Sequence, residues 1–420
     1  MKADWTLGDL ASLMDGKLYG KHDLPIAHIS IDSRTLNPSR DILFVALSGE
    51  QHDGHDYLTE LYRRGIRSFL VSRLPELGDF PEAGFCLVKD TLVALQQIAA
   101  AKRRQFRGEL LAITGSNGKT IVKEWIFQCL GDSLRIHRSP KSYNSQVGVP
   151  LSVWGIEPVH QLAIIEAGIS HPGEMEKLHR MIQPDTGIFT HFGTAHQEHF
   201  RSPEEKLKEK LELFRGCSKL ICRADAMVGS RRLTSYLEEL DAEIVDWSLE
   251  VASRYRYRIV ERTAFQTSLE LRLPDQVISF TLPFADDASL ENALHVFTYC
   301  MEKESEPGLV KERMEKLEPV SMRLEILKGM MDSTLINDSY NSDTGGVVAA
   351  LDLMGQQDSR KGRVVILSDL LQSGMEDRAL YSRIAELLKQ KKIGQFIGIG
   401  PALSAHRRLF PASSLFYRDT

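Results

Sequence analysis

A chain of 420 residues is too long for one ordinary hydrophobic core; at about 150 residues per domain it suggests two or three, and 42% hydrophobic with 26% charged residues suits their burial in a globular protein. The formal net charge of −5 gives no basic footprint for nucleic acid or an anionic membrane, and no apolar run approaches the ~20 residues that span a bilayer. Five cysteines (Cys86, Cys129, Cys217, Cys222 and Cys300), odd in number and without CxxC spacing, read as buried thiols in a reducing compartment, so a cytoplasmic chain is expected.

From Ile29 to about Arg104, short strand-like runs at 42–47, 68–71 and 85–88 alternate with helix-like stretches, as in a small α/β unit. The basic stretch Lys102-Arg103-Arg104-Gln105-Phe106-Arg107-Gly108 reads as a charged helix end and boundary. A second segment begins with an apolar strand at 110–114 and carries further strands at 162–166, 186–190 and 220–222. That alternation predicts a mostly parallel, doubly wound sheet with its ligand crevice at the strands' carboxyl ends. Between Tyr255 and Leu282 the period changes to that of strands, and a helix is expected over 290–301. After Pro307 and Pro319 come a hairpin (324–338), a helix (344–354), a strand (363–367), a helix (377–391) and a strand (395–399), which together predict a second Rossmann-type unit.

The strand at 110–114 runs into Gly115-Ser116-Asn117-Gly118-Lys119-Thr120, followed by helix-like sequence to Leu130. Glycines allow backbone N–H groups to turn inward, Lys119 can bridge phosphate oxygens, the Thr120 hydroxyl can ligate Mg²⁺, and the helix offers its positive end. Nucleoside triphosphate chemistry is therefore expected, although Ile113 stands where the usual first glycine would be, five residues before Gly118. A tight strand-to-helix turn with a chance Lys-Thr is the plainer alternative.

Other candidates each carry two readings. Glu166 ends a strand and either binds Mg²⁺ or is an ordinary strand-end acid; His196 is either a ligand or a structural histidine. Lys210 lies on the apolar stripe of Leu207, Leu211 and Phe214, pointing inward beside a metal or snorkelling from the edge. Asn144 sits in a polar loop and either hydrogen-bonds a ligand or makes an Asx-turn. Arg323, Asp338, Tyr340 and Asn341 flank strand ends, where they suit ribose, base-edge and phosphate contacts or plain capping.

Taken together these motifs resemble the Mur ligase family of ATP-dependent amino-acid and peptide ligases, over essentially the whole chain. The resemblance implies an α/β, three-domain architecture: a UDP-sugar-binding domain at 1–105, a central P-loop parallel-sheet domain at 106–318 that binds ATP, and a C-terminal Rossmann-like domain at 319–420, shorter than the family's. Thr114-Gly115-Ser116-Asn117-Gly118-Lys119-Thr120 is similar to the family's shortened phosphate loop, which accounts for Ile113. Glu166 and His196 match metal-binding positions, Lys210 a lysine that many members carbamylate, and Asn292 an adenine-side asparagine. The His-Asn pair expected just before Asn292 is Ala288-Ser289 here, and the asparagine expected after Asn144 is Ser145.

Asp32-Ser33-Arg34 and Asp53-Gly54-His55-Asp56 are similar to the family's UDP-sugar-binding residues, so Ser33, Arg34, Gly54 and His55, with His171, are expected at the substrate. Asn337-Asp338-Ser339-Tyr340-Asn341-Ser342 resembles the members that add a terminal dipeptide. The resemblance thus implies UDP-N-acetylmuramoyl-tripeptide and D-alanyl-D-alanine as substrates, ATP and Mg²⁺ as cofactors, and catalytic roles for Lys119, Asn144, His196 and Lys210. It also implies, as one arrangement of a longer polypeptide, fusion to an alanine racemase domain. Ligation of another amine on the same scaffold, and nucleotide binding without ligation, are the competing expectations.

Overall fold

The computed structural model of the chain describes residues 5–34, 36–49, 52–191, 199–226, 231–273, 276–304, 306–330, 333–339, 344–356, 362–370 and 375–419. They form two compact units, one of Met1–Ala112, Leu134–Ala167 and Glu176–Pro184, the other of Ile113–Ser133, Gly168–Met175 and Asp185–Thr420.

In the first unit, β1 (Trp5–Thr6), α1 (Leu7–Leu13), β2 (Lys17–Gly20), β3 (Pro25–Ile26) and β4 (His28–Ser30) precede β5 (Ile42–Val45), α2 (Leu58–Arg63), β6 (Ser68–Val71), β7 (Gly84–Leu87) and α3 (Thr91–Gln105). The strands β4, β5, β6 and β7 pair in parallel, β2 adds to β7 in antiparallel sense, and β1 pairs with β3 alone. Every residue of β5 and β6 is buried because both faces are covered, which is why these strands read as continuous apolar runs. Leu43, Val45, Leu70 and Cys86 pack with Leu10 of α1 and Leu95 and Ile98 of α3; Phe44, Phe69, Val71 and Phe85 pack with Leu58 and Leu61 of α2. Asp90 caps α3 by accepting from the N–H groups of Leu92 and Val93, and Lys102, Arg103 and Arg104 fill its last turn, where the helix dipole favours cations. The small elements ahead of Ile29 carry too few residues for a period to be legible.

The basic helix end is not merely a boundary. Arg103 donates to the carbonyls of Ile182 (2.8 Å) and Gln183 (2.9 Å) at the end of a later helix.

Strand β8 (Glu109–Thr114) passes from the first unit into the second, where α4 (Lys119–Leu130) follows the glycine loop. The chain then returns to the first unit for β9 (Ile136–Arg138), α5 (Gly148–Trp154), β10 (Leu162–Glu166), which pairs with β9 in parallel, and most of α6 (Glu174–Ile182).

The second unit continues with β11 (Thr186–Phe189), α7 (Pro203–Leu211), β12 (Lys219–Arg223), α8 (Arg231–Glu238), β13 (Glu243–Ser248), β14 (Tyr255–Arg262), β15 (Thr267–Arg272), β16 (Val277–Leu282), α9 (Asp287–Lys303) and α10 (Pro307–Met314). Strands β11 to β14 pair in parallel, and β14 to β16 form an antiparallel meander. Phe280 stacks on Phe297 of α9 at 4.3 Å, and α9 is buried along most of its length.

Beyond it lie the antiparallel hairpin of β17 (Glu325–Lys328) and β18 (Thr334–Asn337), then α11 (Thr344–Gln356), β19 (Val364–Ser368), α12 (Asp377–Gln390), β20 (Gln395–Ile399), α13 (Pro401–Ala405) and β21 (Leu415–Tyr417). Strands β19, β20 and β21 are parallel, and Leu367, Phe396, Leu380, Ile384 and Leu403 build a separate core, as expected of a small Rossmann-type layer. The five cysteines are free thiols and buried. Among the described residues no helix is long and apolar enough to cross a membrane.

Candidate active site

The glycine loop between β8 and α4 is built by close approach. Gly115 has φ 153° and Gly118 φ 85°, and a Cβ on either would collide: Gly115 with Thr190 Oγ1 at 2.0 Å, Gly118 with Asn292 Oδ1 at 2.1 Å. Thr190, just past β11, floors the loop. Its N–H donates to Thr114 O (2.9 Å) and its hydroxyl to Asn117 O (2.6 Å), while Ser116 N–H donates to His191 O (2.9 Å).

Lys119, in the first turn of α4, curls back so that Nζ donates to the carbonyls of Gly115 (2.9 Å) and Ser116 (3.3 Å). Thr120 follows it, half-buried, at the same positive helix end. Lys210 points inward: it is only 6% exposed, and its Nζ donates to Ser116 Oγ at 3.3 Å. The snorkelling alternative is thereby overturned, because Leu207 and Leu211 bury the face of α7 from which Lys210 extends. Gly115, Ser116, Asn117, Gly118, Lys119, Thr120, Asn292 and Lys210 thus gather in one unit around one loop.

Glu166 lies in the first unit at the end of β10, fully buried, and its N–H donates to Ser139 Oγ (3.2 Å). Asn144 is half-buried in the irregular stretch before α5, where the neighbouring Ser145 hydroxyl accepts from Gly148 N–H. His171 is exposed; its N–H donates to Glu174 and its ring stacks on His199 at 4.0 Å. Arg323 and Asp338 come together at the open end of the β17–β18 hairpin, where Asp338 Oδ1 accepts from Leu324 N–H at 3.3 Å. His196, Tyr340 and Asn341 lie outside the described residues. Among the described residues no three His, Cys, Asp or Glu side chains converge as a metal cluster.

Of the expected sugar-side residues, Ser33 is buried and gives its carbonyl to Arg64, and Arg34 is exposed and paired with Asp32 at 3.0 Å. Gly54 opens a one-turn helix, Gly54–Tyr57, that carries His55. Both ring nitrogens of His55 are engaged: Nε2 accepts from Ser72 N–H (3.0 Å), so Nδ1 carries the proton toward Asp53 (2.6 Å). Burial raises the Asp53 carboxyl, but bonds from His55 and Arg73 outweigh it and hold it well below the usual range.

Around Asn292 the neighbouring polar groups form a chain. Glu291 accepts from His191 and Arg223, both at 3.0 Å; Arg223 also pairs with Asp225 (2.9 Å), which accepts from Ser248 (2.6 Å). Burial pushes the Glu291 carboxyl up, yet His191 and Arg223 bring it below its ordinary value, so it is a carboxylate at neutral pH. Thr190, His295 and Trp247 were not legible as site residues. The one available signal was that His295 falls three residues after Asn292, on the same helix face.

Such a loop, with two lysines and a helix N-terminus, can bind and neutralise a polyphosphate. The chain matches the description "Mur ligase family, catalytic domain" over residues 25–103 and "Mur ligase middle domain" over residues 113–300. It is 27% identical to UDP-N-acetylmuramoyl-tripeptide--D-alanyl-D-alanine ligase of Escherichia coli (strain K12), over 94% of this chain and 86% of that protein. Identity to the ligase of the same name from Bacillus subtilis (strain 168) is 25%, over 94% and 85%. In fold it is similar to the crystal structure of MurF from Acinetobacter baumannii, with a TM-score of 0.83 at 22% identity, covering 99% of this chain and 89% of that one. The MurF ligase of Thermotoga maritima in complex with ADP gives a TM-score of 0.75 at 18% identity, covering 93% and 88%. The two family matches, in consecutive order over well over half of the sequence, together with relatives aligned along nearly all of it, show that the chain belongs to the Mur ligase family.

Proposed function

We infer that this chain ligates D-alanyl-D-alanine to UDP-N-acetylmuramoyl-tripeptide, driven by ATP, as a step in making peptidoglycan precursor. The observation that carries the reading is the loop 115–118, closed by Asn292 and Thr190 and flanked by Lys119 and Lys210, in a chain whose full-length relatives bear that ligase name. The chemistry requires activation, because carboxylate oxygen is a poor leaving group. Attack of the tripeptide carboxylate on the γ-phosphate forms an acyl phosphate and ADP; the dipeptide amine then displaces phosphate.

In this reading residues 1–105 hold the UDP-sugar, with Ser33, Arg34 and the turn set by Gly54 and His55; residues 106–318 hold ATP; residues 319–420 bring Arg323, Asp338, Tyr340 and Asn341 to the nucleotide. Lys119 neutralises the transferring phosphoryl group, Asn144 hydrogen-bonds the reacting phosphate or carboxylate, Asn292 serves the adenine side, and His171 serves the substrate. The oxygen donors Thr120 and Glu166, with His196, suit a hard divalent cation, which would supply further charge neutralisation at the phosphates. Lys210 fits beside it as a carbamate; as the ammonium it would lie against the phosphates instead. Burial of five free thiols suits a reducing compartment, hence the cytoplasm. Fusion to a racemase domain is not part of the proposal, since the relatives supporting it carry ligase names alone.

The test is phosphate release from ATP with the UDP-linked tripeptide, with and without D-alanyl-D-alanine. Release that requires both substrates is expected. Turnover indifferent to the UDP-peptide would overturn the reading, and turnover supported by another amine would redirect it to a different acceptor.

A further inference from the structure

Behind the phosphate loop lies a run of hydrogen bonds that none of the roles above uses. His295 is 0% exposed, on α9 one turn beyond Asn292. Its Nδ1 receives the indole N–H of Trp247 at 3.0 Å, and its Nε2 lies 3.1 Å from the carbonyl of Thr190. An indole nitrogen can only donate, so Nδ1 is the acceptor and the imidazole proton is on Nε2, where it donates to Thr190 O. Trp247 also meets the imidazole edge to face, with centroids 5.0 Å apart, which fixes the ring plane.

The other polar atoms of Thr190 hold the loop. Its N–H goes to Thr114 O, its hydroxyl to Asn117 O, and that same hydroxyl sits where a side chain on Gly115 would be. The carbonyl is the remaining polar atom of Thr190, and its bond to the imidazole sets how Thr190 stands beneath the loop. A buried donor with one acceptor, in a tautomer chosen by a second residue, is more specific than packing requires.

We propose that His295, held in its Nε2–H form by Trp247, is a positioning residue for the phosphate loop: through the Thr190 carbonyl it fixes the hydroxyl that holds the Asn117 peptide, and so presets the loop for the nucleotide's phosphates. The proposal rests on the reading of that loop as the ATP site. It concerns the backbone of the loop, not a contact between His295 and ligand.

The experiment is ADP binding by titration calorimetry, beside Michaelis constants for ATP and for the UDP-linked tripeptide, in H295N, H295Q and W247F. A Gln amide reaches about where Nε2 stands and keeps a donor for Thr190; an Asn amide stops short of it. Loss of one buried hydrogen bond corresponds to about tenfold in affinity, so H295N is expected to bind ADP about tenfold more weakly and to raise KM for ATP, with KM for the UDP-peptide unchanged. H295Q is expected to recover to within about threefold of the wild type. W247F, which keeps an edge-to-face ring but frees the tautomer, should fall between the two. A folded H295N that binds ADP as tightly as the wild type, or an H295Q as weak as H295N, overturns the proposal. Should H295N not fold, W247F decides: weaker ADP binding supports the proposal and unchanged binding overturns it. A wild-type chain that binds no ADP overturns the ATP-site reading itself.

Discussion

Asn292 and Gly118 illustrate how little room the loop leaves at the scale of single residues. Asn292 is buried, and its amide oxygen occupies the space that any side chain at 118 would need, while the backbone at 118 is left-handed. Alanine at this position meets both penalties, so Gly118→Ala is expected to destabilise the second unit by roughly 1–3 kcal/mol and to weaken ADP binding. Urea unfolding checks the first, calorimetry the second. If steric conflict with Asn292 is the cause, Asn292→Ala in the Gly118→Ala background should return about 1 kcal/mol, a coupling that a double-mutant cycle measures directly. The stripe of Leu207, Leu211 and Phe214 put Lys210 on the apolar side of α7 but left both its readings open, and only its burial in the fold separates them. His295 was not legible: a single histidine on an apolar helix gives the same letters whether it packs or holds a loop, and its partners, Trp247 in β13 and Thr190 just past β11, lie far away in sequence.

At the scale of elements, α9 is the support of the site. Its N-cap, Asp286, is itself buried and accepts from Ser289 N–H at 2.7 Å. Asp286→Ala is expected to cost about 1 kcal/mol in equilibrium unfolding. Because Asn292 and His295 lie within three turns of that cap, the same variant should also weaken ADP binding slightly. Elements such as β6 and β10 were readable to the residue, since a buried parallel strand is a short apolar run between turn signals. By contrast β13 hides in Glu243-Ile244-Val245-Asp246-Trp247-Ser248, where half the residues are polar. What makes it a strand is pairing with β12 and β14, a long-range fact that no local pattern records.

At the scale of the whole molecule, each compact unit holds a histidine kept neutral by burial. His137 in the first unit and His295 in the second both have their pKa pushed down to about 4, burial being the largest cause. Ser152 O and the charges of His160 and Arg138 act on the first; Glu291, Arg223 and His191 act on the second, beside the bonds to Thr190 and Trp247. In the unfolded chain each ring gains its proton near 6.5, in the folded chain only near 4, so between those values the unfolded state binds more protons. Stability from this source is whole above pH 6.5 and falls as the pH drops toward 4, by up to about 3 kcal/mol per ring. Urea midpoints for both units should therefore decline from pH 7 to pH 5, and His295→Gln should flatten the decline in the second unit alone.

The sequestered cysteines give the chain a set of internal clocks. Burial pushes the Cys86 and Cys217 thiols up to about 11 and Cys222 up to about 12, so neither access nor thiolate chemistry favours attack on the native protein. A maleimide added to native protein should label none of them until the surrounding layer opens. Since Cys86 belongs to one unit and Cys217 and Cys222 to the other, peptide mapping of labelling against time would report how often each half of the molecule breathes, with no engineered probe.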